Sequence, residues 1–217
     1  MCRRNDSLRR RAVAAITAVL GATSLAGCAD SDPEQRATDT SSTGSADEVA
    51  RHGGDVCPDR LPQGDEPGYG FGTEQPAEAS PALPAPESAW TCRYQPVDGG
   101  PGPDGQGTAM VWERKGEARP VSSTALPDMA QSLSRLAPPD TANQMCTQEL
   151  GPRWMLVFAT GQDLTGVVVD GFGCRSVRLT DDPFETEPGA SKQEGVVPGV
   201  LMAPPSLLED LKAAHTG

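Results

Sequence analysis

From Ala89 onward, hydrophobic and polar positions follow patterns that specify regular structure. "AWTCRY" (Ala89 to Tyr94) alternates so that Trp90, Cys92 and Tyr94 fall on one face of a strand, and "AMVWER" (Ala109 to Arg114) aligns Met110 with Trp112 on a second. The intervening "QPVDGGPGPDGQG" is so rich in Gly and Pro that it predicts a long loop. A third, short strand is predicted near Val121. In "TALPDMAQSLSRL" the period changes, because Met129, Leu133 and Leu136 recur at i, i+4 and i+7, the stripe of an amphipathic helix. Pro127 and Asp128 suit its first turn, and Pro138 and Pro139 are expected to end it.

Three further runs, "RWMLVFAT", "GVVVD" and "CRSVRLT", are separated by turn residues and predict an antiparallel meander. Both phases of Trp154 to Ala159 are apolar, which places that strand at the centre of the sheet with a helix on one face. An acidic Pro/Gly loop follows Leu179. "PPSLLEDLKAAH" then predicts a closing helix, with Ser206 and Glu209 as a capping box ahead of Leu207, Leu208 and Leu211. The fold class expected is α+β: a single antiparallel sheet of about five strands with two helices, stapled by disulfides.

The chain before Ala89 lacks such periodicity. Residues 55–88 are broken by Pro and Gly and predict order only near Cys57; "GYGFG" (Gly68 to Gly72) lacks the spacing, flanking elements and lysine of a phosphate loop. Ala29 to Gly54 is rich in Ser, Thr, Asp and Gly and nearly devoid of large apolar residues, so burial cannot offset its ordering entropy. As a flexible tether it would reach roughly 28 Å. Ahead of it, Arg3, Arg4, Arg9, Arg10 and Arg11 precede an uncharged, mostly apolar stretch from Ala12 to Ala26, the layout of a secretory signal peptide. A permanent membrane helix needs about 20 apolar residues.

Leu25, Ala26 and Gly27 lead into Cys28 in a pattern that resembles the lipobox of bacterial lipoproteins. The resemblance implies a diacylglyceryl group on the Cys28 thiol, cleavage after Gly27, and further acylation of the new amino terminus. Two or three such chains hold a protein firmly at ~0.8 kcal/mol per buried methylene. A plain secreted protein is the competing reading. The arginines resemble a twin-arginine signal, but the apolar pair that should follow is only Ala12 and Val13, which favours the general export route. The organisation expected is a signal peptide at 1–27, a lipidated tether at 28–54 and an extracytoplasmic α+β domain at 55–217, held on the outer side of the cell membrane.

Removing residues 1–27 leaves thirteen Lys or Arg against twenty-nine Asp or Glu, a net charge of −16. Such a chain repels nucleic acid and anionic lipid, so the expected membrane contact is the lipid at Cys28 and the expected partner an envelope protein or small ligand. The scarcity of lysine (Lys115, Lys192, Lys212) beside abundant Gly and Pro resembles exported proteins of high-G+C Gram-positive bacteria, and "TCRY", a later cysteine before an apolar strand, and "GC" followed by "RSV" resemble uncharacterised actinobacterial lipoproteins. That resemblance supports the architecture and implies no activity.

Without Cys2 and Cys28, four cysteines remain. An even number outside the cytoplasm predicts disulfides, and of the three pairings Cys57 with Cys92 and Cys146 with Cys174 is favoured, since each closes a loop of about thirty residues. Each bridge contributes ~3.5 kcal/mol in the chain-entropy model. A metal site built on them lacks C-x-x-C spacing and a nearby histidine.

Candidate chemistry is sparse. The chain has two histidines, His52 in the tether and His215 near the end, neither placed as a pocket base. No nucleophile motif is present, no cofactor is expected, and a hydrolase working with two carboxylates is the alternative to a binding module. Asp181, Asp182, Glu185 and Glu187 form a weak calcium candidate, with a solvated acidic loop as the competing reading. Trp90, Trp112 and Trp154 could form a sugar-stacking platform, but their apolar strands point to the core.

Overall fold

The structure, a computed structural model, describes residues 48–64, 69–140, 150–160 and 163–217. The expected signal peptide, the lipidation site Cys28, residues 28–47 of the tether and Cys146 lie outside the described residues.

A short helix covers 48–51 (α1). It is followed by β1 (Ser88–Pro101), β2 (Thr108–Arg114), β3 (Arg119–Pro120), α2 (Leu126–Leu133), β4 (Arg153–Thr160), β5 (Asp163–Asp170), β6 (Ser176–Thr180), β7 (Leu201–Met202) and α3 (Pro205–Thr216). The strands form one antiparallel sheet in the order β2-β1-β4-β5-β6-β7, with β3 pairing separately with β1. The α+β architecture and the central place of β4 agree with the sequence. The counts do not: the described residues form seven strands rather than about five, because β3 and β7 are two-residue pairings too short to leave a periodic signal. The helix at 48–51 was likewise not expected.

Every residue from Arg153 to Ala159 is buried, because β4 is covered on both faces. On one face Trp154, Leu156 and Phe158 pack with Val167, Val169, Val177 and Leu179 beneath Met129 and Leu133 of α2 and Leu207, Leu208 and Leu211 of α3. Among the described residues the other face has no helical layer of that kind. Met155, Val157, Leu164 and Val168 are covered there by Tyr94, Trp112, Val56, Cys57 and Leu61. The irregular chain around Cys57 thus does for this face what the helices do for the first. The disulfide between Cys57 and Cys92, with Cα atoms 6.6 Å apart, fixes it to β1. Beside the bridge, the buried Tyr94 hydroxyl donates to Pro58 O at 2.9 Å, and burial pushes its pKa far up, so the phenol stays neutral.

The same irregular chain closes the outer edge of β2: Leu61 N donates to Trp112 O, Arg114 N to Asp59 O and Met110 N to Tyr69 O. An uncovered edge is a template for pairing with other chains. At the far side, β7 is bridged by Ala137 and the adjoining Val200 by Pro76. Order in 55–88 therefore extends beyond Cys57, with Ala77 4 % exposed and its N–H bonded to Val200 O.

Three local expectations are corrected. The predicted loop between the first two strands is mostly strand, since β1 runs on through a register shift between Asp98 and Pro101, where Asp98 accepts from Gly100 N; the loop shrinks to 102–107. Helix α2 ends at Leu133, before Pro138 and Pro139, because Ala137 is drawn into a paired bridge with Met202. The capping box on α3 does not form. Pro204 occupies the N-cap, which places Ser206 inside the first turn, and its hydroxyl meets that of Ser132 on α2.

The domain also begins earlier than Asp55. Glu48 is 8 % exposed and accepts from Leu164 N, Val49 packs against the disulfide-bearing core, and His52 stacks on Phe184. The expected tether boundary at 54/55 is displaced accordingly.

Candidate functional site

Three charged side chains stand on the disulfide-bearing face of the sheet. Arg153 opens β4 and pairs in register with Asp170, the last residue of β5, while Arg178 on β6 sits opposite Val168, two residues before Asp170. Alternation along each strand sends all three side chains to the same face. They are 5 to 6 % exposed. Arg153 Nε donates to Asp170 Oδ1 at 2.7 Å and Arg178 Nη1 to Asp170 Oδ2 at 2.9 Å. One carboxylate thus serves two guanidinium groups.

The remaining donors go to one loop. Arg153 reaches Gly70 O with Nη1 at 3.4 Å and Phe71 O with Nη2 at 2.6 Å, and Arg178 Nε reaches Thr73 O at 2.9 Å. Tyr69 O accepts from Met110 N, which secures the loop to β2 as well. Gly70 and Gly72 sit at φ +79° and +78°, and a Cβ at Gly70 would collide with Met110 O. Only glycine lets the backbone come this close in this conformation. Within Gly70 to Thr73, the carbonyls of Gly70, Phe71 and Thr73 are thus turned toward the buried arginines.

Burial pushes the Arg153 pKa down and Asp170 opposes that shift, with Arg178 adding repulsion and Glu187 compensating. Arg153 also lies over Trp112, 3.8 Å from the ring centroid, a desolvated cation–π contact. Phe71 meets Trp112 edge-on at 5.6 Å and Phe172 stacks at 6.3 Å. Leu61, Gln63, Phe71, Trp112, Arg153 and Glu187 are among the residues lining a cleft with room for about one water molecule. That space does not admit an organic ligand.

Outside this buried layer the loop presents Tyr69 and Phe71 to solvent, 40 % and 37 % exposed; with Leu150 they are the large exposed hydrophobics among the described residues. Tyr69 donates its hydroxyl to Asp104 at the β1–β2 hairpin tip at 3.0 Å. That bond raises the Tyr69 pKa and helps to lower that of Asp104, whose largest stabilisation is the Gln106 N–H.

The residues expected from sequence fall elsewhere. Cys57 and Cys92 are bonded, and Cys174 is disulfide-bonded, while the pairing with Cys146 involves a residue outside the described ones. The four acidic candidates diverge: Asp181 accepts from Glu194 N, Asp182 accepts from the N–H groups of Phe184 and Glu185, Glu185 is exposed, and Glu187 lines the cleft. No group of three or more metal-ligating side chains gathers among the described residues. His52 stacks on Phe184, and His215 lies 3.2 Å from Thr91 Oγ1 with its ring edge toward Trp154. The tryptophans form no platform, since Trp154 lies on the helix face and Trp90 and Trp112 on the other.

Arg153, Asp170 and Arg178 lie in three separate strands and form no local motif, so the sequence does not mark them as a group. Their signal was a charge of each sign placed within or at the end of runs that are otherwise apolar. No helix among the described residues is long and apolar enough to cross a membrane. No family model, curated protein or solved structure matches the chain.

Proposed function

We propose that this chain is a lipoprotein anchored through Cys28 on the outer side of the cell membrane, and that its domain is a non-enzymatic interaction module. The loop bearing Tyr69 and Phe71 would meet an envelope partner. The observation that carries the binding reading is the use of two buried arginines to hold three carbonyls of one loop whose large side chains face solvent. Preorganised, exposed aromatic residues are favoured contact points, because little ordering entropy is lost when they bind. Asp170, a buried carboxylate, has both oxygens engaged by arginine, which supports a structural rather than an acid–base role.

The anchor reading rests on the basic head, the short apolar stretch and the lipobox ending in Cys28. The partner class is an envelope protein with an apolar patch, since the acidic mature chain disfavours nucleic acid. A photo-reactive phenylalanine analogue at Tyr69 in the native cell is expected to form a discrete protein adduct that the same analogue at exposed Gln131 does not. Identical labelling at both positions would remove the interaction reading. Separately, Cys28→Ser is expected to release the protein from the membrane fraction or block its maturation. Wild-type protein that is wholly soluble, with an unmodified amino terminus, would remove the anchor.

A further inference from the structure

Residues 48–54 are attached to the domain differently from everything that follows them. The backbone hydrogen bonds described for them stay local: His52 N to Glu48 O, Gly53 N to Ala50 O, Gly54 N to Val49 O and, one residue on, Asp55 N to His52 O, with Gly53 and Gly54 at φ +68° and +95° ending the turn. The turn thus makes no backbone hydrogen bond to the sheet among the described residues. Among the described residues its hold on the domain consists of three side-chain contacts. Glu48 Oε2 accepts from Leu164 N at 2.9 Å, Val49 packs against the disulfide-bearing core, and His52 lies flat on Phe184 with centroids 3.6 Å apart and planes 3° from parallel.

Leu164 is a natural docking point. The β5–β6 ladder runs only from Gly166 opposite Thr180 to Val169 opposite Val177, so Leu164 lies beyond it, and Glu48 takes the place of a further strand. Three residues past the turn, Cys57 is bonded to Cys92 in β1. Whatever happens to 48–54, the chain from Cys57 onward stays fixed.

We propose that residues 48–54 are a releasable latch: docked, Glu48 is held beside Leu164, and undocked, the first fixed point of the described chain is Cys57. Undocking frees the nine residues from Glu48 to Val56, up to about 30 Å of extended chain. Its consequence for reach above the membrane rests on the tether reading; its geometry does not.

The charges around Glu48 give the latch a direction. Burial raises its pKa, Asp182 and Asp163 raise it further, and the Leu164 N–H and Arg51 oppose them. A carboxyl with a raised docked pKa binds a proton more readily docked than free. Docking is therefore strongest at acidic pH and weakens as pH rises through the docked value.

Amide hydrogen exchange on the full chain tests this, read as protection factors at about pH 4.5 and about pH 7. Leu164 is expected to be several-fold better protected at the lower pH, while Val167, in the core, reports the intact sheet. Glu48→Gln, which keeps an acceptor but cannot ionise, should protect Leu164 equally at both pH values. Glu48→Ala should lower that protection about tenfold at both, the loss of one hydrogen bond. If Glu48→Ala impairs folding, His52→Ala, which removes the stack and leaves the carboxylate, should also expose Leu164. Undiminished protection of Leu164 in Glu48→Ala and His52→Ala, or wild-type protection that ignores pH, would overturn the latch. Neither result touches the Tyr69 adduct or the Cys28 anchor.

Discussion

Arg153 and Asp170 face one another across β4 and β5, and the arginine that neutralises the carboxylate also holds the carbonyls of Gly70 and Phe71. The sheet interior and the exposed aromatic loop are therefore coupled through one side chain. A change at Asp170 is felt in both.

Asp170→Asn keeps the shape but leaves two buried guanidinium groups without their shared anion. Removing one partner of a buried ion pair costs about 3 to 5 kcal/mol. Urea unfolding should show a loss of that size. A change under 1 kcal/mol would mean that solvent reaches the cluster and already screens it.

Cys57 and Cys92, separated by 35 residues, close a loop whose loss from the unfolded ensemble is worth roughly 3.5 to 4 kcal/mol. Because the bridge also fixes the chain covering β2, the paired Cys57→Ser, Cys92→Ser variant should lose at least that much stability. Its β2 amides should exchange faster than those of β5. Uniform exchange across the sheet would show that the edge cover is held independently of the bridge. Non-reducing peptide mapping should also recover Cys146 with Cys174.

Much of this was readable from the chain because strand and helix periods report local burial. "RWMLVFAT" is apolar in both phases and proved to be the doubly covered β4. Trp90, Cys92 and Tyr94 share a face as alternation requires. What periodicity could not carry was long-range pairing: the two-residue β3 and β7, the edge cover from Asp59 to Leu61, and the docking of Glu48 on Leu164 depend on partners 24 to 116 residues away. The candidate site escaped for a related reason. Each of Arg153, Asp170 and Arg178 is unremarkable alone, and only strand register brings them together.

Two deletions, one early in the expected tether and one at its end, test which chain the domain needs. If residues 30–41 serve only as a tether, removing them should leave the melting temperature unchanged, because no folding contact is lost. Removing 48–54 should cost on the order of 1 to 3 kcal/mol through the Leu164 hydrogen bond and the Phe184 stack. Calorimetry on the two deletions decides the boundary. Equal melting temperatures would return it to Asp55.

Trp154 offers the sharpest test of the helix face. The residue is 6 % exposed, packs beneath the helices, lies at right angles to the His215 ring and carries the Arg93 guanidinium 5.7 Å from its centroid, yet its indole N–H has no hydrogen-bond partner among the described residues. Trp154→Ala removes all the packing and should cost about 3 to 5 kcal/mol, a shift of roughly 6 to 20 °C for a domain of this size. Trp154→Phe keeps an aromatic face and discards the unsatisfied donor, whose burial costs about 1 to 3 kcal/mol. That gain offsets part of the lost volume, so the phenylalanine variant should lose less than half as much stability as the alanine variant. A Trp154→Phe loss equal to that of Trp154→Ala would mean that the N–H is held by an acceptor and contributes to the fold.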